Sequence, residues 1–242
     1  EVVGDLPLVQ QQFLMRTSIL QRVTPELAQV ASGMTATEVQ SLITDAERLG
    51  MLGRRASRRS AEQRYHPLVR EFLEERLHRA IGPAGIDELH LAVARWAETT
   101  DWQTAAHHYA AARRWDDLLR VLELHLETIV GLGAFATAAG FISALPEAPE
   151  SAAIEVMHSR QASVEGDVLR VQVHAVRARE LDPTNEVVVG NLLSANMLAA
   201  DTDAATEVAS ELASIAKSPL LRMVANATTL LLRSSVDFDL GL

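Results

Sequence analysis

The chain of 242 residues contains no cysteine. Disulfide bonds and thiolate metal sites are therefore excluded, and a reducing cytoplasm is the expected location. No uninterrupted apolar stretch approaches the roughly 18 residues that a membrane-spanning helix needs, so we expect no membrane association. Aromatic residues make up only 4% of the chain although hydrophobic residues reach 48%, which favours closely packed helices of small and straight-chain residues.

Catalytic motifs are also missing from the sequence. It has no Gly-x-x-x-x-Gly-Lys-Ser/Thr phosphate loop, no Gly-x-Gly-x-x-Gly turn, no Gly-x-Ser-x-Gly elbow and no His-Glu-x-x-His pair. The adjacent His107 and His108 would point about 100° apart on a helix, and the other histidines stand alone in the sequence. We therefore expect no enzyme activity, no metal site and no cofactor bound by this chain alone.

The chain begins at Glu1, without an initiating methionine or a signal-peptide pattern, and stops at Leu242 without a polar tail. From these ends we expect an interior piece of a larger protein. The net charge of −10 is unevenly spread. Residues 1–81 hold eleven arginines and ten acidic residues, so the acidic excess lies in the rest of the chain, which is a poor nonspecific binder of nucleic acid.

The first part of the sequence predicts a winged-helix domain over residues 1–82. Thr24-Pro25-Glu26 is a helix start that Gly33 ends, and Thr35 to Glu38 is a capping box for a helix that Gly50 ends. Two short extended runs follow, around residues 51–55 and 62–66, and Pro67 opens another helix. Helix, helix, two-stranded wing and helix is the winged-helix order, and Gly82 to Gly85 marks its boundary.

Residues 83–242 predict a helical domain of tetratricopeptide-like helix pairs, which makes the chain mainly α. The predicted helices cover roughly 87–99, 102–113, 115–129, 134–145, 151–165, 168–181, 185–199, 203–217 and 220–234. Gly166-Asp167 and Ala200-Asp201 mark equivalent turns 34 residues apart, which is the tetratricopeptide period. Such pairs bury their apolar faces only by stacking into a superhelix.

A basic cluster lies on the predicted wing. Its candidate nucleic-acid contacts are Arg54, Arg55, Arg58 and Arg59, which could meet phosphates. The alternatives are a solvated loop, or a surface that faces an acidic neighbouring domain. Direct nucleic-acid binding by this chain is not the expectation, because the following region is acidic.

Several stretches resemble large ATP-binding LuxR-type transcription regulators, the STAND-type group that includes the maltose-regulon activator. Phe13–Leu20 with Val23–Leu27 resembles the family's opening of the winged helix after its nucleotide-binding module. Arg64–Leu73 resembles the motif that closes it. The stretches Leu89 to Trp96, Asp101 to Ala105 and Gly133 to Pro146 resemble the following helical segments, so the likeness covers about residues 9–150.

The resemblance implies the interior regulatory and sensor segment of a signal-transduction ATPase. Its partners would be the nucleotide-binding and DNA-binding domains of the full-length chain and a small-molecule or protein inducer, with ATP and ADP bound only by the full-length protein. His66 matches the histidine that contacts the diphosphate of ADP in related nucleotide switches. In those switches the histidine belongs to a Met-His-Asp motif. Here Tyr65 replaces the methionine and Pro67 replaces the aspartate, so only the histidine carries over. From the residues alone, its ring could equally anchor the turn between strand and helix.

Two other functions are compatible with the sequence. The chain could be a winged-helix DNA-binding protein, although an amphipathic helix with Leu42, Ile43, Ala46 and Leu49 stands where a recognition helix is expected. It could also be a stand-alone repeat adaptor that binds peptides. Salt-dependent duplex binding would support the first alternative, and an open reading frame with no nucleotide-binding module would support the second.

Overall fold

The computed structural model describes residues 4–56, 61–147 and 149–239. Within these residues the protein is mainly helical and contains one small antiparallel sheet, as predicted. The chain divides into two compact units, Glu1–Val121 and Leu122–Leu242. The predicted domain boundary near residue 82 lies inside the first unit and stays a prediction.

The first unit has the winged-helix order. Its elements through the wing and the long helix after it are α1 (Leu8–Thr17), α2 (Pro25–Ser32), α3 (Ala36–Arg48), β1 (Leu52–Ala56), β2 (Ala61–Tyr65) and α4 (Pro67–Ala97). Strand β1 pairs with β2 in a register that sets Leu52 opposite Tyr65. An isolated antiparallel β-bridge also pairs Val23 with Gln63 of β2.

The helix ends form where the capping residues predict them. The Thr24 side chain accepts a hydrogen bond from the Leu27 N–H at 3.3 Å, and Pro25 is the first residue of α2. Thr35 and Glu38 form the reciprocal capping box that opens α3. Gly33 follows α2 with a φ of 76°, a left-handed conformation that glycine adopts without strain.

Helix α1 was not among the predicted helices, and it supplies part of the core. Its N-cap is Pro7, which makes no side-chain cap, so the sequence carries no start signal. Phe13 and Leu14 are nevertheless fully buried. The Thr17 hydroxyl lies 2.6 Å from the Tyr65 hydroxyl, which joins the end of α1 to the end of β2.

Helix α4 is broken at Gly82. This residue has φ 68° and ψ 176°, outside the helical region, and the next residue is Pro83, which lacks an N–H donor. The predicted helix opened by Pro67 therefore ends where the Gly-Pro pair indicated, and the second part of α4 corresponds to the helix predicted at 87–99.

The rest of the described chain is helical, with helices of 7 to 21 residues. They are α5 (Trp102–Ala111), α6 (Trp115–Leu124), α7 (Leu126–Leu132), α8 (Phe135–Ile142), α9 (Ala152–Glu165), α10 (Val168–Leu181), α11 (Glu186–Leu198), α12 (Thr202–Ile215) and α13 (Pro219–Asp239). One predicted helix, 115–129, was wrong in its extent. It divides at His125, which has the non-helical angles φ −103° and ψ 14°, and neither glycine nor proline marks that break in the sequence.

The two turns predicted to be equivalent are alike in structure. Gly166 and Ala200 both adopt the left-handed conformation, with φ of 78° and 58°. Asp167 then caps α10 and Asp201 caps α12, each side chain accepting a backbone N–H bond. The repeated geometry supports helical repeats in this region, while the tetratricopeptide type stays a prediction.

In the second unit, hydrophobic residues are buried where each helix packs against the next. Helix α9 packs on α10, α10 on α11, α11 on α12, and α12 on α13. Small side chains make this close packing possible, because Ala175, Ala195 and Ala209 are all fully buried. None of the helices in the described ranges combines the length and apolar character that crossing a bilayer requires.

Candidate functional site

His66 lies at the turn between β2 and α4, and its backbone forms that turn. Its N–H donates to the Met51 carbonyl at 3.3 Å, and its carbonyl accepts from the Arg70 N–H at 2.9 Å. The imidazole makes no capping hydrogen bond to α4, and the residue is exposed. The ring is therefore placed at the surface by backbone interactions in which it takes no part.

His66 is one of the residues that line an open cleft of about 630 Å³. Such a volume lies within the range of small-molecule sites. Three of the lining side chains carry nitrogen donors suited to phosphate: Arg64, His66 and Arg70. Arg70 also pairs with Glu74, its Nε lying 2.7 Å from Oε1. None of the described lining residues is acidic, so the cleft favours an anionic group.

The wall of the cleft is held by a buried hydroxyl pair. Tyr65 lines the cleft, and only 6% of its surface is exposed. Burial raises the pKa of Tyr65 well above its usual range, so the phenol stays protonated and remains in contact with Thr17. The Gln63 carbonyl also accepts the Val23 N–H at 2.8 Å. The strand that carries Arg64 and leads into His66 is thereby fixed to α1 and to the segment that follows it.

The predicted wing contacts stay predictions. Arg54 and Arg55 belong to β1, where their backbones pair with Gln63 and Glu62. Their side chains lie outside the described part of the structure, as do residues 57–60 with Arg58 and Arg59. In the described residues, His66 lines a cleft together with Arg64 and Arg70, which the sequence placed in the same motif but not in a binding role.

A second recess lies in the repeats between α9, α11 and α13. Its volume is about 400 Å³, and its lining includes Ser159, Arg160, Ser163, Asn191, Ser194 and Thr228. The Arg160 Nε and Asn191 Nδ2 atoms are buried and have no hydrogen-bond partner. Burial lowers the pKa of Arg160. Unpaired buried donors carry a desolvation cost that lowers stability.

Histidines that are distant in the sequence also lie close together in the structure. His90 Nδ1 lies 2.7 Å from His108 Nδ1, and His107 Nδ1 lies 3.0 Å from Gln21 Nε2. Burial, followed by the neighbouring histidines, lowers the pKa of His108 to about 2. His158 and His174 form another pair, with ring centroids 5.2 Å apart. No local motif predicted these pairs, because each spans two helices.

Comparison with known proteins bears on the first part of the chain. Residues 1–84 match the family model described as the MalT winged helix domain. No curated protein matches the chain. No solved structure matches it. The N-terminal part of the chain, which contains the His66 cleft, is thus similar to the winged-helix segment of a MalT-like regulator.

Proposed function

We propose that this chain is the regulatory segment of a LuxR-type, ATP-dependent transcription regulator of the cytoplasm. It would couple a signal bound on the helical repeats to a nucleotide switch. The observation that carries the proposal is the match of residues 1–84 to the MalT winged helix domain. The geometry of the His66 cleft supports contact with the nucleotide, and the recess in the repeats supports binding of the signal.

The His66 cleft supports contact with a nucleotide held by another module of the intact regulator. In the resting state the imidazole of His66 donates to the diphosphate of ADP, and Arg64 and Arg70 supply positive charge beside it. An exposed ring at a fixed turn suits this role, because the nucleotide approaches from outside the chain. The winged-helix segment then keeps the switch closed as long as ADP is bound.

The recess in the repeats supports binding of the signal. Arg160 and Asn191 line the recess with side chains that carry nitrogen donors, so the suitable ligand is a small molecule rich in acceptors, such as a carboxylate or a sugar. Such a ligand activates the switch only if it binds the open and closed arrangements with different affinities. A protein inducer would need a broader surface than this recess.

The chain alone should not bind nucleotide tightly, because its sequence lacks a phosphate loop. Calorimetric titration of the 242-residue chain with Mg-ATP should give no binding in the micromolar range. A micromolar dissociation constant would contradict the proposed division of labour between this segment and a separate nucleotide-binding module.

The decisive experiment measures ADP release from the intact regulator. A hydrogen bond from imidazole to phosphate contributes about 1–3 kcal/mol, so His66→Ala should speed ADP dissociation by about ten- to a hundredfold. His78→Ala is the matched control, because His78 is also exposed and lies outside the cleft. An unchanged rate in a folded His66→Ala protein would refute diphosphate sensing by this residue.

A further inference from the structure

Three potential metal ligands meet on the hairpin of α9 and α10. Glu155 and His158 are three residues apart on α9, so their side chains share one face of the helix. His174 reaches them from α10, and its Nδ1 lies 2.7 Å from Glu155 Oε2. One ligand atom from each of the three residues lies within 4.8 Å of the other two.

We propose that Glu155, His158 and His174 bind a divalent transition-metal ion of the zinc class. Two imidazole nitrogens and one carboxylate oxygen are a ligand set that Zn²⁺ takes in a tetrahedral site, with water in the fourth position. Bonds of about 2.0–2.2 Å set the donors of such a site roughly 3.4 Å apart. The present spacing is close enough for side-chain rotations to complete it, and the packed helices need not move.

Accessibility and charge set the expected affinity. The side chains of Glu155 and His174 are 16% and 24% exposed, so an ion can enter while most of the site is shielded from water. Arg177 lies beside it, with its Nε 3.4 Å from Glu155 Oε1. This cation opposes the metal, but it contacts the carboxylate oxygen that does not face His174. We therefore expect binding in the micromolar range, weaker than in a structural zinc site.

An ordinary hydrogen bond between His174 and Glu155 is the competing explanation, and metal titration separates it from a metal site. The 242-residue chain, freed of metal with a chelator, is titrated with ZnCl₂ by calorimetry and with CoCl₂ by visible absorption. We expect one ion per chain and the intense visible bands of tetrahedral Co²⁺. Absence of both signals in the wild-type chain would overturn the proposal.

Substitutions then assign the ligands. His158→Gln, His174→Gln and Glu155→Gln should each weaken binding by at least about tenfold, since loss of a direct ligand exceeds the effect of an outer-shell change. His125→Gln is the control within the same unit, and His107→Gln tests the other histidine cluster; both should bind as the wild type does. Binding that survives all three ligand substitutions would place the ion elsewhere and overturn the assignment.

One further variant tests whether weaker metal binding in the ligand variants results from loss of folding. Arg177→Gln removes the competing cation and leaves all three ligands in place. It should tighten Zn²⁺ binding by about three- to tenfold, an increase that misfolding does not produce. Unchanged or weaker binding would contradict a site built on the Glu155 carboxylate.

Discussion

The winged-helix segment and the repeats differ in whether their buried polar side-chain atoms have hydrogen-bond partners. Near the wing, buried groups meet partners, as the Thr17 hydroxyl meets Tyr65. Among the described residues, the buried side-chain atoms left without a partner, Arg160 Nε and Asn191 Nδ2, both lie in the repeats. Paired groups fix a single conformation, whereas unpaired buried donors lower stability. The buried polar groups of the first region therefore add to its stability, whereas those two atoms of the second region reduce it.

The largest expected effect tests the packing of the winged-helix core. Phe13→Ala removes a fully buried ring and should cost about 3–5 kcal/mol of unfolding free energy. Denaturant unfolding followed by tryptophan fluorescence measures this, because all three tryptophans, Trp96, Trp102 and Trp115, lie in the first unit. Leu8→Ala on the same helix is the control, since Leu8 is 75% exposed. Similar costs for the two variants would show that α1 is not packed as described.

The second effect concerns the buried histidines of the first unit. Burial, then nearby charges, lowers the pKa of His90 to about 4, and His108 is lowered further. The pKa of such a histidine is lower in the folded protein than in the unfolded chain, where it is about 6.5. As the pH falls below 6.5, the unfolded state takes up a proton that the folded state does not bind. The folded state therefore loses stability as the pH falls. For each of these two histidines, the unfolding free energy should therefore drop by about 2 kcal/mol between pH 7 and pH 5.

Variants separate this pH effect from general acid sensitivity. His108→Gln removes one of the two titrating groups and should reduce the loss of stability over the same pH range by about half. His78→Gln should keep the full slope, because His78 is exposed and outside the cluster. Equal slopes in all three proteins would contradict the role given to the buried cluster.

A smaller effect tests the hydroxyl pair behind the His66 cleft. Tyr65→Phe should cost about 1 kcal/mol, the usual net contribution of a hydrogen bond. In a double-mutant cycle with Thr17→Val, the two changes should be non-additive by a similar amount, because each removes the same contact. Additive costs measured by denaturant unfolding would mean that the pair does not form.

The smallest expected change has the opposite sign, and it lies in the repeats. Asn191→Leu removes an unpaired buried donor, so the unfolding free energy should stay constant or rise by up to about 1 kcal/mol. Ser159→Ala is the paired counterpart: its hydroxyl donates to the Val171 carbonyl at 3.1 Å, and its loss should cost about 1 kcal/mol. Circular dichroism follows unfolding here. A destabilised Asn191→Leu protein would remove the contrast between the two regions.

Local signals account for the elements that were correctly predicted. Thr24, Thr35 and Glu38 cap their helices through neighbouring backbone groups, and such interactions are readable in sequence. Gly82 breaks α4 because its left-handed conformation suits glycine. Helix α1 lacked any side-chain cap, and the break at His125 lacked glycine or proline, so neither was visible.

The candidate site was only partly predictable for a related reason. His66 could be singled out by its motif, whereas the motif did not indicate that Arg64 and Arg70 line a cleft with it. The meeting of Glu155 with His174, and of His90 with His108, depends on how helices pack. Packing brings together residues that no short motif connects, so these clusters appear only in the structure.

Transcription in the absence of inducer tests the coupling most directly. If His66 holds the closed, ADP-bound state, a reporter driven by the intact His66→Ala regulator should be active without inducer, whereas His78→Ala should remain inducible like the wild type. Basal output at the wild-type level, from a His66→Ala protein that is folded and still responds to inducer, would contradict the account.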